Sequence, residues 1–180
     1  MGFPKALLEA GAGRTFLGRI AATFDEAGAK TLVVLGADAE LVTSRHPELW
    51  AVENPDWKQG QWSSVKKGLE AALDAGARVI FVHPVDSPRV KVSTVHRLWP
   101  QLTRFPAAVA FYRNRPGHPV ALTDEGARLL LAQPAAQSFA QALGQLDGAG
   151  VEASDPAIVE NFNSPDEYQK VFGRPPFGLS

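Results

Sequence analysis

The chain has 180 residues, of which 45% are hydrophobic and 21% charged, with a net charge of −1 and no cysteine. That balance supports a core of ordinary globular size and excludes disulfides and Cys-based zinc or redox sites. The near-neutral charge and the lack of a polybasic run argue against a nucleic-acid partner. No apolar run approaches the roughly 20 residues of a membrane helix and no signal-peptide pattern appears, so a cytoplasmic protein is expected.

The first residues, "MGFPKALLEAG", read as a short loop of the kind that joins a strand to a helix. "RTFLGRIAATFDEAG" spaces Phe16, Leu17, Ile20 and Phe24 as one helical face and stops at glycine. "KTLVVLGAD" reads as a buried strand, "AELVTSRHP" as a short helix and "LWAVEN" as a short strand. "WSSVKKGLEAALDAGA" is an amphipathic helix, "RVIFVHP" a strand and "STVHRLWPQL" a helix. "AAVAFYRN" and "HPVALT" predict two strands with a turn at Arg115-Pro116-Gly117. "DEGARLLLAQ" and "SFAQALGQL" predict helices, and "GVEAS" and "AIVENF" short strands. "SPDEYQKVF" predicts a last helix capped by Ser164, with Pro165 in its first turn. Strands alternating with helices predict a three-layer α/β domain with a mostly parallel sheet, over residues 1–172, and the Pro/Gly-rich stretch 173–180 reads as a flexible tail. Ligands of such sheets bind at the carboxyl ends of the strands.

Three loops at those ends carry chemistry. Asp86, in "VIFVHPVDSP", can hold a divalent cation or simply cap the next turn, since Asp-Ser-Pro is a good turn sequence. Asn161 and Asn163, in "ENFNSPDEY", can offer carbonyl oxygens to a hard cation or shape the start of the helix. "NPDWKQGQWSSVKKGL" joins Gly60, Ser63 and Ser64 to a helix start, where backbone N–H groups and hydroxyls can hold an anion or a base edge. Its plainer reading is a helix capped by Ser63 or Ser64. Trp62 either stacks on a nucleobase or covers the loop, and Lys66 and Lys67 form a solvated face. His118, in "YRNRPGHPV", has no second histidine at ligand spacing, so a structural or substrate-orienting role fits better than a metal site. Lys5 is a compact point charge suited to phosphate.

In this order the pieces resemble the nucleotidyltransferase family that includes molybdenum-cofactor cytidylyltransferase and its guanylyltransferase relatives. "MGFPKALL" resembles the end of the family's L-A-A-G-x-S-x-R-M-G-x-P-K-x-L-L, and "NPDWKQGQWSSVKKGL" its N-P-x-W-x-x-G-M-x-x-S-L-x-x-G-L. "VIFVHPVDSP" resembles a strand followed by G-D-x-P. "YRNRPGHPV" resembles Y-x-G-x-x-G-H-P-V, and "NFNSPDEY" resembles D-I-D-T-P-E-D-Y or N-x-N-T-P-E. The resemblance implies a Rossmann-like nucleotidyltransferase domain that binds Mg²⁺ and an NTP, CTP or GTP. Such a domain passes the nucleotidyl group to a phosphorylated acceptor such as molybdopterin and releases pyrophosphate. It implies Asp86 as principal metal ligand and Asn163, less so Asn161, as its companion. Lys5 would neutralise phosphate charge. Gly2, Gly60 and Ser64 would lie near the nucleotide, and Gly117 and His118, with Pro119, would shape the acceptor side. The departures are Val85 in place of glycine before the aspartate, Gln61 in place of methionine, and a chain whose first residue is the signature's methionine. They open the alternative of a non-catalytic member serving as a binding or regulatory module.

Overall fold

The computed structural model describes residues 3–133 and 136–176. A 3₁₀ turn, Lys5–Leu7, is followed by α1 (Phe16–Glu26), β1 (Leu32–Leu35), α2 (Ala39–Arg45) and β2 (Trp50–Glu53). Then come α3 (Gln61–Asp74), β3 (Val79–Val82), α4 (Val92–Leu98), β4 (Ala107–Tyr112) and β5 (Arg115–Thr123). α5 (Asp124–Leu131), α6 (Phe139–Leu143), β6 (Gly148–Glu152) and α7 (Pro165–Phe172) complete the order.

The four-residue strands β1 and β2 pair in parallel, Leu32 opposite Trp50. A second sheet runs in the order β3-β5-β4-β6. In it β3, β4 and β6 share one direction and only β5 runs against them. Period-2 patterning explains the three layers. In β3, β4 and β5, Phe81, Ala108, Ala110 and Ala121 point to one face, where Ile20 and Phe24 of α1 and Val95 and Leu98 of α4 meet them. Ile80, Val82, Ala107, Val109, Val120 and Leu122 point to the other, under Leu69 of α3, Leu130 of α5 and Ala142 of α6. Both faces are covered, which is why these strands read as continuous apolar runs. Helix α3 also lies on β1, with Gly68 against Val34. Among the described residues β1 bonds only to β2, and β3 only to β5.

Three local readings of the sequence are corrected. The turn between β4 and β5 is at Arg113 and Asn114, both with positive φ (50° and 62°), and Arg115-Pro116-Gly117 already belongs to β5. The stretch predicted as the strand "AIVENF" begins instead as a 3₁₀ turn, Pro156–Val159, because Asp155 accepts the Ala157 N–H and Pro156 sets the first φ. Helix α3 starts at Gln61 behind Gly60, whose φ of +100° suits glycine, so neither Ser63 nor Ser64 is its cap. Among the described residues no helix is long and apolar enough to cross a membrane.

Candidate active site

Pro4 opens a tight turn in which Leu7 N–H donates to the Pro4 carbonyl and Leu8 N–H to that of Lys5. Leu7 and Leu8 are fully buried, so the backbone of Lys5 is pinned while its side chain stays about a third exposed. Lys5 Nζ donates to Asp86 Oδ2 at 3.1 Å and to Asn163 Oδ1 at 2.5 Å. Three motifs that are far apart in the chain therefore meet at one ammonium.

The Asp86 loop is held from below and from the side. His83 Nε2–H donates to the Ser87 carbonyl at 2.8 Å. Ser87 Oγ donates to the Glu160 carbonyl at 2.7 Å and to Asn161 Oδ1 at 3.0 Å. Phe162 N–H donates to the Asp86 carbonyl, and Arg89 pairs with Glu160 at 3.1 Å. Asn161 is thus spent on joining the two loops, and Asn163 is the asparagine that meets Lys5. Asn163 also leads into a capping box: the N–H groups of Asn163 and Ser164 donate to Glu167 Oε2, and Glu167 N–H donates to Ser164 Oγ. The Asn163 N–H, and after it that of Ser164, hold the Glu167 carboxyl below its ordinary range. Val85, in place of a glycine, packs among Leu8, Phe16, Leu35 and Ile158.

Two histidines lie behind Asp86. The His83 and His118 rings meet edge to face with centroids 6.3 Å apart, and His83 also lies against Phe24. Each has a buried Nδ1 without a hydrogen-bond partner among the described residues. Burial lowers both: His83 falls to about 4 and His118 also falls, although the Asp86 charge opposes this in each case. Both are neutral at pH 7. The His118–Pro119 peptide bond is cis.

Gly117 is buried, and a Cβ placed on it would stand 2.3 Å from the Ile158 carbonyl oxygen. Its absent side chain lets β5 close onto the turn that precedes the Asn163 loop. Gly60 and Ser64 sit at the start of α3 and make no hydrogen bond to the Lys5 cluster among the described residues. Ser64 Oγ accepts from Asn54 Nδ2 at 3.0 Å, Ser63 Oγ accepts from the same amide at 2.9 Å, and Asn54 Oδ1 accepts the Asp56 N–H. Asn54, buried at the end of β2, organises this loop and was not singled out from the sequence; its signal was the Asn-Pro pair at a strand end. Trp62 is buried against Phe139, with Nε1 donating to the Ala136 carbonyl, so it is core and not a stacking platform. Gly2 lies outside the described residues.

Beside Lys5 a cleft of about 170 Å³ opens at the carboxyl end of β1, lined by Pro4, Val34, Gly36, Ala37 and Asp38. Asp86 and Asn163 are hard oxygen donors that already share one cation, and their chemistry fits a divalent metal of the magnesium type. Among the described residues no group of three or more His, Cys, Asp or Glu side chains could hold a metal. The two donors suit an ion completed by substrate phosphates and water and do not form a protein cage.

Residues 1–150 match the family described as MobA-like NTP transferase domain. The molybdenum cofactor cytidylyltransferase of Escherichia coli (strain K12) is 25% identical over 117 residues, covering 65% of this chain and 59% of that protein. A nucleotidyl transferase from Methanothermobacter thermautotroptrophicus superposes with a TM-score of 0.76 at 22% identity, over 93% of this chain and 82% of its own. The Mycobacterium tuberculosis H37Rv protein Rv0371c, solved as a complex with manganese, superposes with a TM-score of 0.73 at 21% identity, over 96% and 94%. These likenesses show the fold, a Rossmann-like nucleotidyltransferase domain with helices on both sides of a mostly parallel sheet in which β5 is the antiparallel member.

Proposed function

We propose that this chain, because it belongs to the MobA-like NTP transferase domain family, transfers a nucleotidyl group from an NTP to a phosphorylated acceptor. CTP and molybdopterin are the first candidates, on the cytidylyltransferase likeness. The observation that carries the reading is the convergence of Lys5, Asp86 and Asn163 on one point beside the cleft at the end of β1.

In this reaction an oxygen of the acceptor phosphate bonds to the nucleotide α-phosphorus, the bond to the β-phosphate oxygen breaks, and pyrophosphate leaves with that electron pair. Little covalent chemistry falls to the protein, which positions the reactants and neutralises charge. Lys5 supplies a point charge for the phosphates. Asp86 and Asn163 would hold Mg²⁺, which when bound polarises phosphate oxygens as a Lewis acid. The Ser87 bonds keep the two ligand-bearing loops in register. The neutral histidines keep positive charge from building up behind Asp86, and His118 and Gly117 would face the acceptor side.

Pyrophosphate release measured with each of the four NTPs, with and without molybdopterin, tests the reading. Turnover preferring CTP, lowered at least 100-fold in Asp86→Ala, is expected. NTP binding by calorimetry with no pyrophosphate released for any acceptor would instead establish a non-catalytic binding module.

A further inference from the structure

We infer that Lys5 is the resident cation of this site: a divalent ion and the Lys5 ammonium exclude one another, and nucleotide binding is what moves Lys5 aside. The inference rests on the reading above and adds an order of events to it.

Asp86 Oδ2 and Asn163 Oδ1 come from separate loops, yet both lie within hydrogen-bond reach of Lys5 Nζ, at 3.1 and 2.5 Å. Two oxygens converging on one ammonium make a two-ligand cation seat. Magnesium sits about 2.0–2.1 Å from its oxygen ligands, inside the space that Nζ fills. Two positive centres cannot share that space. The loops themselves are the fixed part. Ser87 is 1% exposed and ties Asp86's loop to Glu160 and Asn161, and the capping box fixes Asn163. The Lys5 stem is the movable part, since its side chain is 31% exposed above a turn anchored by buried leucines.

The free chain therefore neutralises Asp86 from within. An incoming triphosphate in the cleft beside Pro4 and Gly36 offers Lys5 a stronger anion. Once the ammonium turns to phosphate, Asp86 and Asn163 are left with their oxygens free, and the phosphates supply the ligands the protein lacks. Nucleotide and cation then bind cooperatively, and the coupling is reciprocal by linkage. A cation offered to the free chain must compete with Lys5.

The test is Mn²⁺ binding to the full chain, followed by electron paramagnetic resonance without nucleotide. Lys5→Met should bind Mn²⁺ at least 10-fold more tightly than the unsubstituted chain. Lys5→Arg, which keeps a cation on the stem, should not. Adding Asp86→Asn to Lys5→Met should remove the gain, which assigns the ion to this seat. A thermal melt checks folding, and Lys5→Gln replaces Lys5→Met if that variant is unfolded. Equal Mn²⁺ affinity in the neutral variant and the unsubstituted chain overturns the inference and leaves the nucleotidyltransferase reading standing. No Mn²⁺ binding by any variant, with or without CTP, overturns both.

Discussion

His83 touches none of the reacting groups, yet it is one of the supports of the Asp86 loop. Its Nε2–H supports the Ser87 carbonyl, and its buried Nδ1 has nothing to accept a second proton's charge. The unfolded chain takes up that proton near pH 6.5, the native site only near pH 4. Stability is therefore fully held above pH 6.5 and falls as pH drops from 6.5 to 4, by about 3 kcal/mol at most. His83→Gln, whose amide can still donate to Ser87, should flatten that part of the profile when urea unfolding is compared at pH 7.5 and 5.0; an unchanged profile would remove His83 as its source. Gly117 illustrates steric fit at the same scale. A methyl there meets the Ile158 carbonyl at 2.3 Å, so Gly117→Ala should cost about 1–3 kcal/mol, read as a lowered midpoint in urea. Several residue roles were open to sequence reading and several were not. The Asp-Ser-Pro and Asn-Ser-Pro motifs made Asp86 and Asn163 candidates beside their plainer reading as a turn and a helix entry, and the fold brings both to Lys5. That Asn161 would join loops while Asn163 faced Lys5 depends on where two distant loops meet, which no local pattern encodes. Trp62 was ambiguous for a similar reason, since helical phase alone does not say whether a neighbour such as α6 covers it.

At the scale of elements, the site is positioned by ends of helices and strands and hardly at all by their interiors. α7 begins with a capping box, Pro165 at its first position and two acidic residues in its first turn. Each of these signals is local, and so the helix was legible from the sequence. Ser164→Ala should destabilise the chain by about 1 kcal/mol and weaken nucleotide binding as well, because the same cap fixes Asn163; calorimetric titration with CTP would show it. Ser87→Ala should loosen the joint between the Asp86 and Asn163 loops, leaving the Phe162–Asp86 backbone bond and the Arg89–Glu160 pair, and lower activity without altering far-UV circular dichroism; undiminished turnover would show that the loops hold their register without that hydroxyl. The misplaced β4–β5 turn has a specific origin. Pro-Gly is a strong turn signal, but here the glycine is required for close approach to Ile158, while Arg113 and Asn114 take the left-handed backbone. In "AIVENF" the apolar residues were visible, but Asp155-Pro156 ahead of them outweighed β propensity.

For the whole molecule, the alternation of continuous apolar strands with amphipathic helices such as α1 and α3 made the three-layer architecture legible. The antiparallel direction of β5 is imposed by the two-residue link Arg113-Asn114, which is too short for a parallel crossover. What stayed hidden was the tie between the two ends of the chain. Phe16, Phe162, Tyr168 and Phe172 form one aromatic cluster, and Tyr168 OH donates to the Glu9 carbonyl at 2.6 Å. Arg174 pairs with the buried Glu9 carboxylate. Tyr168 is fully buried, so Tyr168→Ala should cost about 3–5 kcal/mol. Tyr168→Phe should cost about 1–3 kcal/mol, since it leaves only the Glu9 carbonyl unpaired. Thermal melts of the two variants separate packing from hydrogen bonding.

The span of the Lys5 cluster has a consequence for how the protein is made. Lys5 lies 81 residues from Asp86 and 158 from Asn163. On the ribosome the first of these residues must wait, exposed, until nearly the last has emerged. Most of the sheet and its helices can form before then, but the Lys5 cluster cannot. A nascent or clipped chain that stops before Asn163 would carry most of the scaffold but leave Lys5 and Asp86 without their third partner.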